Sequence, residues 1–70
     1  MADPIALMVN GESRLCSAGL TLEPLLQELG YQPRLVVVEF NGSILPRAQW
    51  PQQAVVEGDQ LEVVTIVGGG

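Results

Sequence analysis

Thr21-Leu22-Glu23-Pro24-Leu25-Leu26-Gln27-Glu28-Leu29-Gly30 carries the clearest helical periodicity in this chain. Leu22, Leu25, Leu26 and Leu29 fall at i, i+3, i+4 and i+7, which puts all four on one face of a helix. Thr21 stands where an N-cap belongs, and Glu23 complements the positive end of the helix dipole. Pro24 sits in the first turn, where a missing N–H costs little. Gly30 supplies the left-handed residue that ends the helix. Two turns are marginal alone in water. These leucines therefore need a sheet to pack on, and the flanking sequence supplies one.

Upstream, Ile5-Ala6-Leu7-Met8-Val9 is a short apolar run that stops at Asn10-Gly11, a pair suited to the two positive φ angles of a type I′ hairpin turn. Glu12 to Ser17 returns as the second strand, with alternation too poor to assign its buried face. Downstream, Leu35-Val36-Val37-Val38-Glu39-Phe40 is β-branched and almost continuously apolar, as a central strand should be. Asn41-Gly42 makes a second tight turn, and Ser43-Ile44-Leu45 a short strand broken by Pro46. Arg47 to Gln53, with Trp50 and Pro51, reads as a loop or short helical turn over the edge of the core. Gly58-Asp59 turns the chain into its last strand, Gln60 to Val67.

The order is thus strand, strand, helix, strand, short strand, strand. A hairpin, one crossing helix and a final strand returning beside the first make an α+β fold of β-grasp, ubiquitin-like type. Its mixed sheet has about five strands, with the helix across one face. Residues 1–70 form a single domain, of which 68–70 are read as a flexible glycine tail.

Composition narrows the function. The chain is 47% hydrophobic and 16% charged, which excludes disorder, and its formal charge of −5 includes no basic cluster. Nucleic acid and anionic membrane are therefore excluded as partners, and a basic protein surface is favoured. Lysine is absent. That reads first as drift toward arginine, but an activated C-terminus would also gain from having no internal amine to attack it. Cys16 is the lone cysteine and His is missing, so neither an internal disulfide, a zinc site nor a Cys-His nucleophile pair is available, and no metal is expected. The N-terminus does not read as a signal peptide and no apolar run approaches the roughly 20 residues of a membrane span, so a cytoplasmic location is expected.

The last strand ends in Gly68-Gly69-Gly70. Glycine lacks Cβ, so such a tail can enter a narrow channel with backbone angles closed to other residues. Three extended residues reach roughly 10 Å beyond the folded body. Three stretches resemble the ThiS family, the sulfur carriers of thiamine biosynthesis. They are Ala18-Gly19-Leu20-Thr21-Leu22 with Leu25-Leu26; Glu39 to Arg47 followed by Trp50; and Gly58-Asp59 with the strand to Ile66 and the glycines. The glycine tail is shared with ubiquitin and the molybdopterin-synthase small subunit, whereas the Asn-Gly…Leu-Pro-Arg…Trp segment points to the thiamine branch.

The resemblance implies that an E1-like adenylyltransferase activates the Gly70 carboxylate as an acyl adenylate. A sulfur donor protein then converts it to a thiocarboxylate, and thiazole synthase takes the sulfur. It implies no cofactor for this chain, ATP and magnesium belonging to the activating enzyme, and no catalytic residue in it. The alternatives are a carrier of the molybdopterin branch and a ubiquitin-like modifier joined to lysines of other proteins.

Alternation in the last strand sends Leu61, Val63 and Thr65 to one face and Glu62, Val64 and Ile66 to the other. Glu62 would be costly to bury unpaired, so Leu61 and Val63 are expected inside. Val64 and Ile66, beside Val37 on the neighbouring strand, are then an outward apolar patch for partner docking. Cys16 is expected as a buried small hydrophobe and Trp50 as a lid on the core. Arg47 is expected either in a structural salt bridge or at a partner contact, and Glu57 and Asp59 in a solvated turn.

Overall fold

The computed structural model describes residues 3–66. In it strands β1 (Ile5–Val9), β2 (Glu12–Cys16), β3 (Val36–Phe40), β4 (Ser43–Ile44) and β5 (Gln60–Thr65) form one sheet in the order β2-β1-β5-β3-β4. Helix α1 (Leu22–Glu28) crosses one face. β1 and β5 run parallel and every other pairing is antiparallel, so the sheet is mixed and the β-grasp expectation holds.

Both hairpins follow from their turn residues. Asn10 and Gly11 adopt φ of 52° and 81°, and Asn41 and Gly42 of 51° and 91°, between the register pairs Val9–Glu12 and Phe40–Ser43. Two successive positive φ angles are the I′ signature, whose twist matches that of the flanking strands.

The helix buries Leu22, Leu25 and Leu26 completely. It ends in a Schellman motif: Tyr31 N–H donates to Leu26 O at 2.9 Å and Gly30 N–H to Gln27 O at 3.0 Å, with Gly30 at φ 97°. Its start differs from the sequence expectation. Thr21 takes the N-cap position with extended backbone, but its side chain makes no capping bond. Thr21 instead bridges Ala54, and Leu22 N–H is satisfied by Gln53 O at 3.0 Å. The helix is thus latched to a distant loop and not capped locally.

A helix about 10 Å across cannot cover five strands spaced about 4.8 Å apart. The uncovered part is closed by a 3-10 segment, Arg47–Gln52, whose Trp50 is buried with its indole N–H on Leu45 O at 3.0 Å. Leu7, Val9, Cys16, Val36, Val38, Val55, Leu61 and Val63 complete the core, so Trp50 and Cys16 stand where the sequence placed them.

Four strand boundaries shift, one of them at Leu45, which falls outside β4. Leu35 belongs to a 3-10 turn, Pro33–Leu35, and not to β3, because Pro33 opens a turn closed by Leu35 N–H on Gln32 O. Ser17 falls outside β2, its N–H being taken by the Glu28 carboxylate at 2.7 Å. β5 ends at Thr65, and the Val67 expected to extend it lies outside the described residues.

Candidate functional site

β5 ties the sheet to the glycines. On its inner side Leu61 and Val63 are buried, as alternation requires. Thr65, in the same alternation, is exposed although its register partner Val36 is buried. On the outer side Val64 is 62% and Ile66 44% exposed, and Val37, opposite Val64 on β3, is 37% exposed. The three apolar residues expected to form a patch are therefore together on the face that the helix leaves open. Ile66 N–H still donates to Leu35 O at 2.6 Å, which holds the chain in sheet register up to the last described residue. Gly68, Gly69 and Gly70, the expected tail and site of activation, lie outside the described residues.

The anchoring of β5 rests on a residue that the sequence marked only as a turn former. β1 stops at Val9, so the β1-facing edge of β5 would lose its partner beyond Leu61. Asn10 fills the gap. Its main-chain N–H donates to Leu61 O at 2.9 Å. Its side-chain Oδ1 accepts Val63 N–H at 2.7 Å, and its Nδ2 donates to Val63 O at 3.1 Å and to Tyr31 Oη at 3.3 Å. The amide thus imitates one further residue of a parallel strand. A contact spanning 53 residues leaves no local signal in the sequence.

The other end of β5 is fixed by the turn that was expected to be merely solvated. Asp59 accepts Val56 N–H at 2.8 Å and Asn41 Nδ2 at 3.0 Å, while Asn41 Oδ1 accepts Gln60 N–H at 2.8 Å. Glu57 accepts Ala6 N–H at 3.2 Å. These carboxylates hold backbone.

Arg47 corrects another expectation. Among the described residues it makes no salt bridge, and its exposed side chain is turned onto backbone carbonyls. Its two terminal nitrogens donate to Pro33 O at 2.7 Å, Arg34 O at 3.1 Å and Val36 O at 2.7 Å, and its guanidinium lies 4.8 Å from the centre of the Trp50 ring. A planar fork suits three converging carbonyls, which a single ammonium does not. Arg47 therefore splints the turn that leads into β3, and so fixes Val37.

An open cleft of about 470 Å³ lies between helix and turn, lined by Glu23, Gln27, Tyr31, Gln32, Pro33, Arg34 and Arg47. Its Arg47 is already committed to carbonyls, and the cleft brings together no nucleophile with a base. Burial pushes the Cys16 thiol up, the Glu28 carboxylate adding to the effect against Arg14, so Cys16 stays a protonated thiol. Among the described residues no group of three or more His, Cys, Asp or Glu is placed to hold a metal ion, and no helix is long and apolar enough to cross a membrane.

Comparison with known proteins gives a consistent result. The model of the ThiS family matches residues 7–70. The chain is 33% identical over 64 residues to the sulfur carrier protein ThiS of Escherichia coli (strain K12), covering 91% of this chain and 97% of that protein. It is 50% identical over 64 residues to a thiazole synthase of Paramagnetospirillum magneticum, covering 91% of this chain but spanning only 20% of that protein. The crystal structure of the thiamine biosynthesis protein ThiS from Geobacter metallireducens superimposes with a TM-score of 0.78 at 33% identity, covering 94% of this chain and all of that one.

Proposed function

Because the chain belongs to the ThiS family of sulfur carriers in thiamine biosynthesis, we propose that it carries sulfur as a thiocarboxylate on Gly70 and is a substrate of its partner enzymes, not a catalyst. An E1-like adenylyltransferase joins the Gly70 carboxylate to the α-phosphate of ATP and releases pyrophosphate. The acyl adenylate is a far better electrophile than the carboxylate. A persulfide on a donor protein attacks its carbonyl carbon through the outer sulfur, and AMP leaves with the C–O bonding pair. A second thiol then attacks the donor's sulfur in the resulting acyl disulfide, so that the S–S bonding pair stays on the thiocarboxylate and the donor leaves as a disulfide. Thiazole synthase then accepts the sulfur. ATP and magnesium act on the activating enzyme.

The observation that carries this reading is a family match running through residue 70 on a chain whose last strand leads into Gly68-Gly69-Gly70. Three glycines leave no side chain to crowd either the adenylate or the incoming sulfur. Val37, Val64 and Ile66 form the docking patch, adjoining the route to the tail. The relative named thiazole synthase supports that enzyme as the acceptor, since it contains a region like this chain.

The test is intact mass after incubation with adenylyltransferase, ATP and sulfur donor. The expected product is heavier by the replacement of one oxygen by sulfur. Deleting Gly70 abolishes that product and moves the unfolding midpoint by no more than about one or two degrees, because a chain-terminal residue contributes little to stability. Sulfur loading that survives the deletion refutes the proposal. An adduct to lysines of other proteins identifies a modifier instead.

A further inference from the structure

The outer face of the sheet holds, besides its apolar residues, a pair of acids that have no counter-charge among the described residues. Glu39 on β3 and Glu62 on β5 are direct register partners, both exposed, and they point away from the helix because their neighbours Val38, Leu61 and Val63 are buried. Asn41 N–H on Gln60 O and Ile66 N–H on Leu35 O bracket this pairing in the hydrogen-bonded register, where partner Cα atoms lie about 5.5 Å apart. Like charges directly opposite on a sheet destabilise it.

The surroundings are mostly apolar, with Gln60 and Ser13 the exposed polar neighbours on the same face. Val37 and Val64 form the next outward pair, Ile44 faces Glu39 across β4, and Met8 lies outward on β1 opposite Gln60. All four are exposed. The three arginines are elsewhere. Arg14 is in register with the buried Leu7, on the helix side of the sheet. Arg34 lines the cleft beside the helix, and Arg47 is bound to three carbonyls.

Charge selects the occupant of this face. A nucleic acid or an anionic membrane is repelled by a chain of net charge −5. A second copy packed face to face on a two-fold axis would bring four carboxylates together. A guanidinium is the matching group, since its planar fork donates to two carboxylates at once and its weak hydration suits an apolar rim. Resting on the reading above that the chain works through protein partners, we propose that this outer face docks a protein that presents an arginine, ringed by apolar side chains, to the Glu39–Glu62 pair. The apolar rim supplies contact area, and the charge pair sets register and association rate.

The experiment titrates the full chain into thiazole synthase by calorimetry at low and at physiological salt. Glu39→Gln/Glu62→Gln is compared with Asp3→Asn/Glu12→Gln, which makes the same change in net charge away from this face. The pair variant is expected to bind at least about tenfold more weakly, with a flattened salt dependence, while the control stays within about twofold of the unmodified chain. The pair variant's melting temperature is expected to be unchanged or higher, because a repulsion is removed. A residue pair with only a structural role would not lose binding while keeping or gaining stability. Unchanged binding by the pair variant, or equal loss in the control, overturns the proposal. Absence of binding by the unmodified chain overturns this proposal and the choice of thiazole synthase as partner together, whereas failure to load sulfur in the mass assay overturns the carrier reading alone.

Discussion

The side chain of Asn10 stands in for a missing strand, and removing it tests whether the last strand is held as described. The substitution must spare the turn, because Asn10 has φ 52°. Asn10→Gly does so, Gly-Gly being a compatible I′ pair. It deletes the bonds to Val63 N–H and Val63 O, at 2.7 and 3.1 Å, and the weaker one to Tyr31 Oη at 3.3 Å. Each intramolecular hydrogen bond contributes about 0.5–1.5 kcal/mol net. The two backbone groups are only part-buried, so water replaces some of that loss. The added glycine lowers stability through the greater freedom of the unfolded chain, an effect of a few tenths to about 1 kcal/mol. The sum is about 1.5–3 kcal/mol, against a total for a chain of this size of about 4–10 kcal/mol.

Urea unfolding measures that loss, with an unchanged m-value showing that the folded state keeps its extent. Hydrogen exchange localises it: Val63 N–H should lose protection well beyond the global change, while Val38 and Leu7 N–H should not. Asn10→Asp separates the two halves of the clamp. It retains the acceptor for Val63 N–H and replaces the donor to Val63 O by an anionic oxygen, so it should destabilise despite its similar shape. A stability loss below about 0.3 kcal/mol for Asn10→Gly, or undiminished protection at Val63, refutes the clamp.

Two further tests address the supports of β3 and of the helix. Arg47→Lys keeps the charge and loses the fork, and should cost about 1–2 kcal/mol, the three charge-assisted bonds being discounted because two are exposed; thermal unfolding within the error of the unmodified chain would contradict the splint. Glu28 has its carboxyl held below the usual range by its hydrogen bonds to Ser17, so that bond stabilises the fold above the ordinary carboxylate pKa and is lost as pH falls through the depressed value. Glu28→Gln should remove that part of the acid dependence of melting, and an identical pH profile in the variant would show that the contact does not couple to folding.

How much of this was legible in the sequence depends on the range of the interaction. The helix face, both Asn-Gly turns and the inward pair Leu61–Val63 are set by periods of two to four residues, and such patterns survive in one sequence. Trp50 was legible as a lid because a large apolar ring in a Pro-rich loop has few other places to go. Thr21 looked like an N-cap from local preference alone, whereas the strand-like pairing of residues 53–55 with residues 20–22 had already satisfied the helix terminus. Arg47 was ambiguous because its partners are carbonyls, which every residue possesses and no side-chain pattern announces.

The same distinction governs the candidate site. Alternation put Val64 and Ile66 outward, and the register of β3 against β5 added Val37 to them. Alternation also put Glu62 outward, but only register shows that it stands opposite Glu39, and a shift of one residue would have turned Glu39 into the core. Asn41, bonded to Asp59 and to Gln60 N–H, fixes the start of β5, and the Asn10 clamp fixes it at Val63. Together they prevent such a slip. In physical terms, residues that appear in the sequence only as turn formers maintain the alignment of a repulsive carboxylate pair. Sheet pairing alone would favour separating those charges, so their alignment in a mostly apolar face is a cost borne by the fold, and a cationic side chain on a partner is what would offset it.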